Sequence, residues 1–495
     1  MEFAVSTEGP ESIACDALAV PVHADGRKIV GAAAGVDRAL GGLLSGVLQE
    51  EQFEARPGRT LVLHTHGRIP AKRVLAVGLG AAERVTLEVI RKAAAAVIRT
   101  AAAARAAHVA FPPATAPSAP LEGVAQASVE GALLGAYRFD KYKKEDAGRV
   151  ERVTLLASDE GQRHHLEEGR RRGALFAEAT IFARDLVNEP PNHLPPPRLA
   201  EIAADVARQA GLRCAVLDED AMRAQGMGAL LAIGAGSDQP PRLIVLEYAP
   251  PRARRAVALV GKGVCYDSGG VNLKRDDLEW MKSDMAGGAA VIATMKALPA
   301  LRPKVRVLGI VAAVENMPSG RSVKPGDIVR AMNGKTIEIN NTDAEGRVIL
   351  ADALSYAAAG DVDEIIDLAT LTGSAIVALG YHAAALMSND DALAARLLQA
   401  AEAAGERLWR LPLYEEFLEE MRSPIADLRN SAGRYGGAQK GAIFLREFTG
   451  GRPWAHLDIA PTAFLEKEEG TGPYLPKGGT GYGVRTLLTY LSGVA

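Results

Sequence analysis

Cysteine is nearly absent from this chain: Cys15, Cys214 and Cys265 are the only three in 495 residues, and none forms a C-x-x-C pair. That excludes a disulfide framework and a thiolate metal site, and all three read as small buried thiols. Histidine is scarce as well, with nine residues and no H-E-x-x-H, so any metal centre must rely on oxygen rather than imidazole ligands. Neither sign of charge dominates. A net charge of -3 gives no overall field for a phosphate backbone, and nucleic acid is not an expected partner. No apolar run is long enough to cross a bilayer, and the opening M-E-F-A-V-S-T-E-G-P lacks the basic flank and apolar stretch of a signal peptide. The expectation is a cytoplasmic protein with no membrane partner. No internal repeat is visible, and Gly78-Leu79-Gly80 lacks the context of a dinucleotide loop.

What the chain does have is ample apolar material, 48% of its residues, arranged as alternating strand-like and helix-like runs. Two α/β domains are expected, residues 1–160 and 161–495. In the first, L-V-L-H and R-V-L-A-V-G-L-G read as strands, with His64 and His66 on the surface of an edge strand. The alanine-dense Arg91 to Val109 reads as helix, and the proline-rich 111–120 as a loop. In the second, R-L-I-V-L-E-Y, A-V-A-L-V-G-K-G, V-R-V-L-G-I-V-A-A-V-E and E-I-I-D-L-A-T alternate with helical runs at 286–298 and 348–359. This predicts a mixed, largely parallel sheet flanked by helices.

Two clusters fall where the ligand crevice of such a sheet lies, beyond the carboxyl ends of its strands. Lys262 is expected to end the strand that begins near Ala256, with Asp267 in the glycine-rich loop beyond and Lys274 and Asp284 following. Asn333-Gly334 reads as a hairpin turn, so Asp343 and Glu345 emerge past its second strand, and Glu345 and Arg347 sit at a helix amino terminus. Four carboxylates in one crevice repel one another unless cations intervene, and two ions sharing carboxylates ~3.5–4 Å apart could activate water between them. The clusters therefore read as a two-metal hydrolase. Lys262 is open to two readings: a counter-ion, or a neutral amine ligand. Lys274 and Arg347 are either electrophilic groups facing a developing oxyanion or surface salt-bridge partners. Met281 and Met285 line a pocket or fill core.

N-T-D-A-E-G-R (341–347), G-K-G-V-C-Y-D-S-G-G, E-N-M-P-S-G, K-P-G-D-I, D-L-A-T-L-T-G, W-A-H-L-D-I-A and G-T-G-Y-G-V-R-T-L-L together resemble the cytosolic leucyl aminopeptidases. The resemblance covers nearly everything after Asn188 and, more weakly, V-G-L-G and Y-R-F-D-K-Y-K before it. It implies a small N-terminal α/β (macro-like) domain, a catalytic α/β domain, and two divalent ions, Zn or Mn. It implies Lys262, Asp267, Asp284 and Glu345 around one ion and Asp267, Asp343 and Glu345 around the other. Lys274 polarises the scissile carbonyl, Arg347 holds a bicarbonate acting as general base, and Thr370 and Leu371 contact substrate through their backbones. The implied reaction is removal of an amino-terminal residue, leucine-like, from peptides by a metal-bridging hydroxide, in a homohexamer. Between Lys274 and Asp284 the chain is one residue shorter than in typical members and carries extra acids at Asp276, Asp277 and Glu279. A hydrolase of other substrates such as phosphoesters, and a DNA-binding or regulatory protein using Arg91, Lys92, Arg99 and Arg105 of one helix, are the alternatives.

Overall fold

The computed structural model describes residues 1–24, 31–144, 148–467 and 472–494. The chain divides into two units, Met1–Glu178 with Glu468–Pro476 and Ala179–Lys467 with Lys477–Ala495. The division falls inside the helix Glu160–Asn188, whose first residue is where the sequence places its boundary.

In the first unit six strands, β1 (Glu2–Ser6), β2 (Ala17–His23), β3 (Thr60–His64), β4 (Arg73–Gly80), β5 (His108–Phe111) and β6 (Arg152–Leu156), form one sheet in the order β1-β6-β5-β2-β4-β3. Only β3, at the edge, runs antiparallel to its neighbour. The continuous apolar run of β4 follows from this topology: its six central residues are buried, with cores on both faces of the sheet. The alanine-dense helix starts at Leu87, where the Thr86 hydroxyl accepts from the Val89 amide, and ends at Ala103. The expectation of helix to Val109 is corrected here. Arg105 turns the chain at φ 53°, and residues 108–111 pair with β2 and β6 as a strand. The alanine run contains no breaker, so the sequence gives no sign of where the helix stops. Arg105 leaves the proposed basic helix, and Arg91 is buried against Glu88 and Glu130, which removes it from any exposed phosphate-binding face.

The second unit is built on eight strands in the order β15-β14-β17-β13-β9-β10-β8-β7. These are β7 (Arg213–Leu217), β8 (Arg242–Tyr248), β9 (Ala256–Asp267), β10 (Arg306–Asn316), β13 (Glu364–Ala369), β14 (Ala384–Ser388), β15 (Leu408–Arg410) and β17 (Trp454–Asp458). The central run β17-β13-β9-β10 is parallel, as expected, and antiparallel neighbours flank it. Short strands β11 (Ile328–Arg330) and β12 (Thr336–Glu338) form the hairpin signalled by Asn333-Gly334, and β16 (Leu428–Arg429) lies parallel to β12. Two expectations are corrected. Cys214 is exposed, because β7 is the sheet's edge strand and four of its five residues face solvent. Lys262 does not end β9, which runs five residues further, to Asp267.

The helices Ala286–Leu301 and Glu345–Ala359 are buried nearly all round, as befits helices packed against the sheet. Gly287 brings the first of them into close approach: a Cβ there would lie 2.0 Å from the Leu368 carbonyl oxygen. Val348, Leu350, Ile310, Val314, Phe444, Phe448 and Trp454 belong to one core. Phe444 is 0% exposed, with the Phe448 ring 5.1 Å from its own. Phe444→Ala should therefore cost about 3–5 kcal/mol in urea unfolding; a cost below about 1 kcal/mol would show that this core does not carry the unit.

Candidate metal centre

Lys262 and Asp267 stand five residues apart on one strand, an odd spacing that in a regular strand points two side chains to opposite faces. β9 escapes this rule through an extra residue. Opposite β10 its register shifts between Val314 and Glu315, pairing Val264 with Val314 but Tyr266 with Glu315, and Cys265 is the residue left over. The bulge turns Lys262 and Asp267 toward the same crevice. Asp284 arrives from the 3-10 turn Leu278–Met285, Asp343 from the loop after β12, and Glu345 and Arg347 from the first turn of the helix Glu345–Ala359. Lys274 comes from the loop beyond β9.

These seven side chains are brought together. The Lys262 ammonium lies 2.7 Å from Asp284 Oδ1 and 2.8 Å from Glu345 Oε1, and donates to the Thr370 carbonyl at 2.9 Å. The Lys274 ammonium lies 2.8 Å from Asp267 Oδ2 and 2.5 Å from Asp343 Oδ1. Asp284 also accepts from the Thr370 hydroxyl at 2.7 Å, and the Leu371 amide donates to Asp458 at 3.1 Å. Lys262 reaches its place only because residue 346 is glycine: a Cβ there would stand 2.6 Å from the lysine nitrogen. Met285 is core, and Met281 is half-buried on the turn that carries Asp284.

The electrostatics follow from burying like charges together. Burial and the neighbouring Glu345 hold Asp267 up at about 6, against the pull of Lys274 and Lys262. Burial also keeps Asp284 well above the usual carboxylate range and raises Asp343. Glu345 goes the other way. Despite complete burial, the two lysines bring it down to about 2. Burial alone would lower the Lys262 ammonium, yet the attraction of Asp284, Glu345 and Asp267 outweighs it and raises the group, and Lys274 is raised in the same manner. Burial pulls the Arg347 guanidinium down to about 10.

The donor set fits divalent cations. Asp267, Asp284 and Glu345 each offer a buried oxygen within 4.8 Å of the others. Among the described residues Asp284 Oδ2 and Glu345 Oε2 are buried without a hydrogen-bond partner, a costly state that a cation relieves. Sequence reasoning missed the residues that hold these ligands. Asn316 donates to Asp267 at 2.8 Å and to the Thr342 carbonyl at 3.0 Å, joining the two carboxylate loops. Asp458 accepts from the Leu371 amide and, at 2.7 Å, from the Thr372 hydroxyl. Both lie inside motifs already singled out, E-N-M-P-S-G and W-A-H-L-D-I-A, which is the only signal they gave. His456 is a buried core histidine held by Asp367 at 2.6 Å.

Residues 181–488 match the catalytic domain of the cytosol aminopeptidase family, and residues 19–146 match that family's N-terminal domain. The chain belongs to the cytosol aminopeptidase family. It is 43% identical to a "Probable cytosol aminopeptidase" of Alkaliphilus oremlandii, over 98% of each chain. Among solved structures it is similar to the bottromycin maturation enzyme BotP in complex with Mn, with TM-score 0.86 and 39% identity over 97% of this chain and 99% of that one. It is also similar to a mutant tomato leucine aminopeptidase, with TM-score 0.89 and 35% identity over 99% of this chain and 96% of that one. Family membership makes the protein a metal-dependent aminopeptidase, and the expected α/β architecture is that of the family.

Gly346→Ala separates ligand geometry from stability. Alanine favours the helix by about 0.5–1 kcal/mol, but its methyl displaces the flexible Lys262 side chain. The expected variant stays folded when loaded with ions but has lost most of its turnover; full turnover would show that Lys262 need not occupy this position.

Proposed function

We propose that the protein removes the amino-terminal residue, with a preference for leucine-like side chains, from peptides at a centre of two divalent ions, Zn or Mn. The observation that carries this reading is the meeting of four acidic side chains, from three separate segments, around two ammonium groups, with two buried carboxylate oxygens left unpaired. The manganese in the BotP complex supports the choice of ion. Lys262, Asp267, Asp284 and Glu345 would hold one ion, and Asp267, Asp343 and Glu345 the other. When bound, such a pair supplies Lewis-acid polarisation of the scissile carbonyl and a nucleophilic water at neutral pH.

The chain's own groups do the rest. To serve as a ligand Lys262 gives up its proton and its contacts with Asp284 and Glu345, which thereby become free to bind the cation. Lys274, only partly buried and raised in pKa, stays an ammonium and donates to the oxygen on which negative charge grows. Arg347, buried at a helix amino terminus, would hold a bicarbonate, which would supply a general base there. Thr370, bonded to Lys262 and Asp284, and the adjacent Leu371 would align the peptide backbone, while Met281, on the segment that carries Asp284, would contact the departing residue's side chain. The exposed Asp276, Asp277 and Glu279 lie on the same segment and would tune that preference. A cytoplasmic homohexamer is proposed on the family resemblance; among the described residues no helix is long and apolar enough to cross a membrane.

Asp284→Ala should leave the protein folded with fewer ions per subunit after dialysis, as measured by elemental analysis. Unchanged ion content and turnover on leucine p-nitroanilide would remove Asp284 from the centre. Arg347→Ala should lower kcat by roughly 10²–10³-fold with ions retained, and a loss confined to KM would contradict its role. Protons compete with cations for every ligand. With Asp267 at about 6 and Asp284 above the usual range, ion retention should weaken as pH falls through about 6. Equal manganese retention in equilibrium dialysis at about pH 5 and about pH 8 would refute this. Hydrolysis of phosphoesters in place of aminoacyl anilides would overturn the substrate class.

A further inference from the structure

Asn430 belongs to none of the motifs that carry the family resemblance, yet it is 0% exposed and every hydrogen-bonding atom of its side chain is used by one loop. Its Oδ1 accepts from the Asn340 amide at 3.0 Å and the Asn341 amide at 3.3 Å. Its Nδ2 donates to the Asn341 carbonyl at 2.7 Å and the Ala344 carbonyl at 3.3 Å. Those residues bracket Asp343 and lead directly into Glu345. The main chain of Asn430 is engaged as well. Its amide donates to the Glu338 carbonyl at 2.9 Å, continuing the pairing of β16 with β12, and its carbonyl accepts from Arg347 Nη1 at 2.9 Å. Among the described residues this is the single hydrogen bond made by the Arg347 guanidinium, whose Nε is buried and unpaired. The anchor is itself fixed, since Asn340 donates to the Ser431 carbonyl at 2.8 Å and Lys440 to the Ala432 carbonyl at 2.9 Å.

From this geometry we infer that Asn430 is a positioning residue of the centre, its carboxamide setting the loop that presents Asp343 and Glu345 and its carbonyl aiming Arg347. The inference rests on the two-ion reading above. Only a carboxamide presents two acceptor lone pairs and two donors on one short planar group, which matches two amides and two carbonyls of the same turn. Aspartate could not donate and would add a negative charge beside Glu345. Alanine would remove a partner from four backbone groups of a half-buried loop. Because Arg347 is held through the Asn430 main chain, side-chain substitution loosens the carboxylates first and disturbs the guanidinium only as the segment shifts.

The test is Asn430→Ala, measured by manganese calorimetry, thermal melting of the metal-free protein, and kcat and KM on leucine p-nitroanilide. The expected result is a Kd for manganese raised roughly 10–100-fold for at least one ion and a kcat lowered by a similar factor, as for other groups that orient metal ligands. KM should stay within about threefold. If that variant does not fold, Asn430→Ser, which keeps a hydroxyl for one of the four backbone groups, is measured in the same way. A variant that melts lower but matches the parent in manganese Kd and in kcat per folded molecule overturns the positioning role alone. A parent protein that binds no manganese overturns the two-ion reading, and the positioning role with it.

Discussion

Repulsion among carboxylates is the constraint around which the second unit is arranged. Asp267, Asp284 and Glu345 are almost wholly buried and Asp343 partly so, within a space small enough that they cannot all be charged without cations among them. The fold places Lys262 and Lys274 there as ammonium groups, and each spans two acids. This arrangement keeps the ion-free chain foldable while two carboxylate oxygens remain unpaired. A divalent cation fits that remaining deficit, and on the proposed two-ion reading Lys262 would change from charge partner to amine as the ion binds. The same four acids therefore account for the folding of the site and for its chemistry.

Satisfying that constraint demands backbone features that are costly anywhere else. The bulge at Cys265 turns an odd spacing into a common face. Gly346 admits the lysine side chain, and Gly287 lets a helix press against the strand that carries it. The hairpin of β11 and β12, with β16 beside it, delivers the Asp343 loop as a rigid unit rather than a free connection. Carboxylates placed by a strand end, a helix start and a clamped loop are held by the backbone that carries them, which is how a site is preorganised.

Much of this was legible in the residues. The seven charged side chains, the hairpin at Asn333-Gly334, the parallel centre of the sheet and a helix amino terminus at Glu345 and Arg347 all follow from local pattern and turn chemistry, although the helical pattern points to a start at Val348 and the helix begins three residues earlier. Other features were not, for definite physical reasons. The length of β9 was hidden because Gly261, Gly263 and the polar Lys262 interrupt its apolar run, although its neighbours bury them. The end of the alanine-dense helix depends on a left-handed turn at Arg105, a residue with no preference for one. Cys214 is exposed because its strand lies at an edge, a fact of topology rather than composition. Asn316, Asn430 and Asp458 act across separations of 26 to 90 residues, beyond the reach of any local periodicity.

The central claim, that these carboxylates exist to share a pair of cations, is tested most directly by anomalous diffraction from crystals grown with manganese. The account predicts two anomalous peaks per subunit, flanked by Asp267, Asp284, Asp343 and Glu345, with the Lys262 nitrogen turned onto one of them. A map with no peak among those side chains, or with Lys262 still bridging Asp284 and Glu345 at saturating manganese, would contradict it.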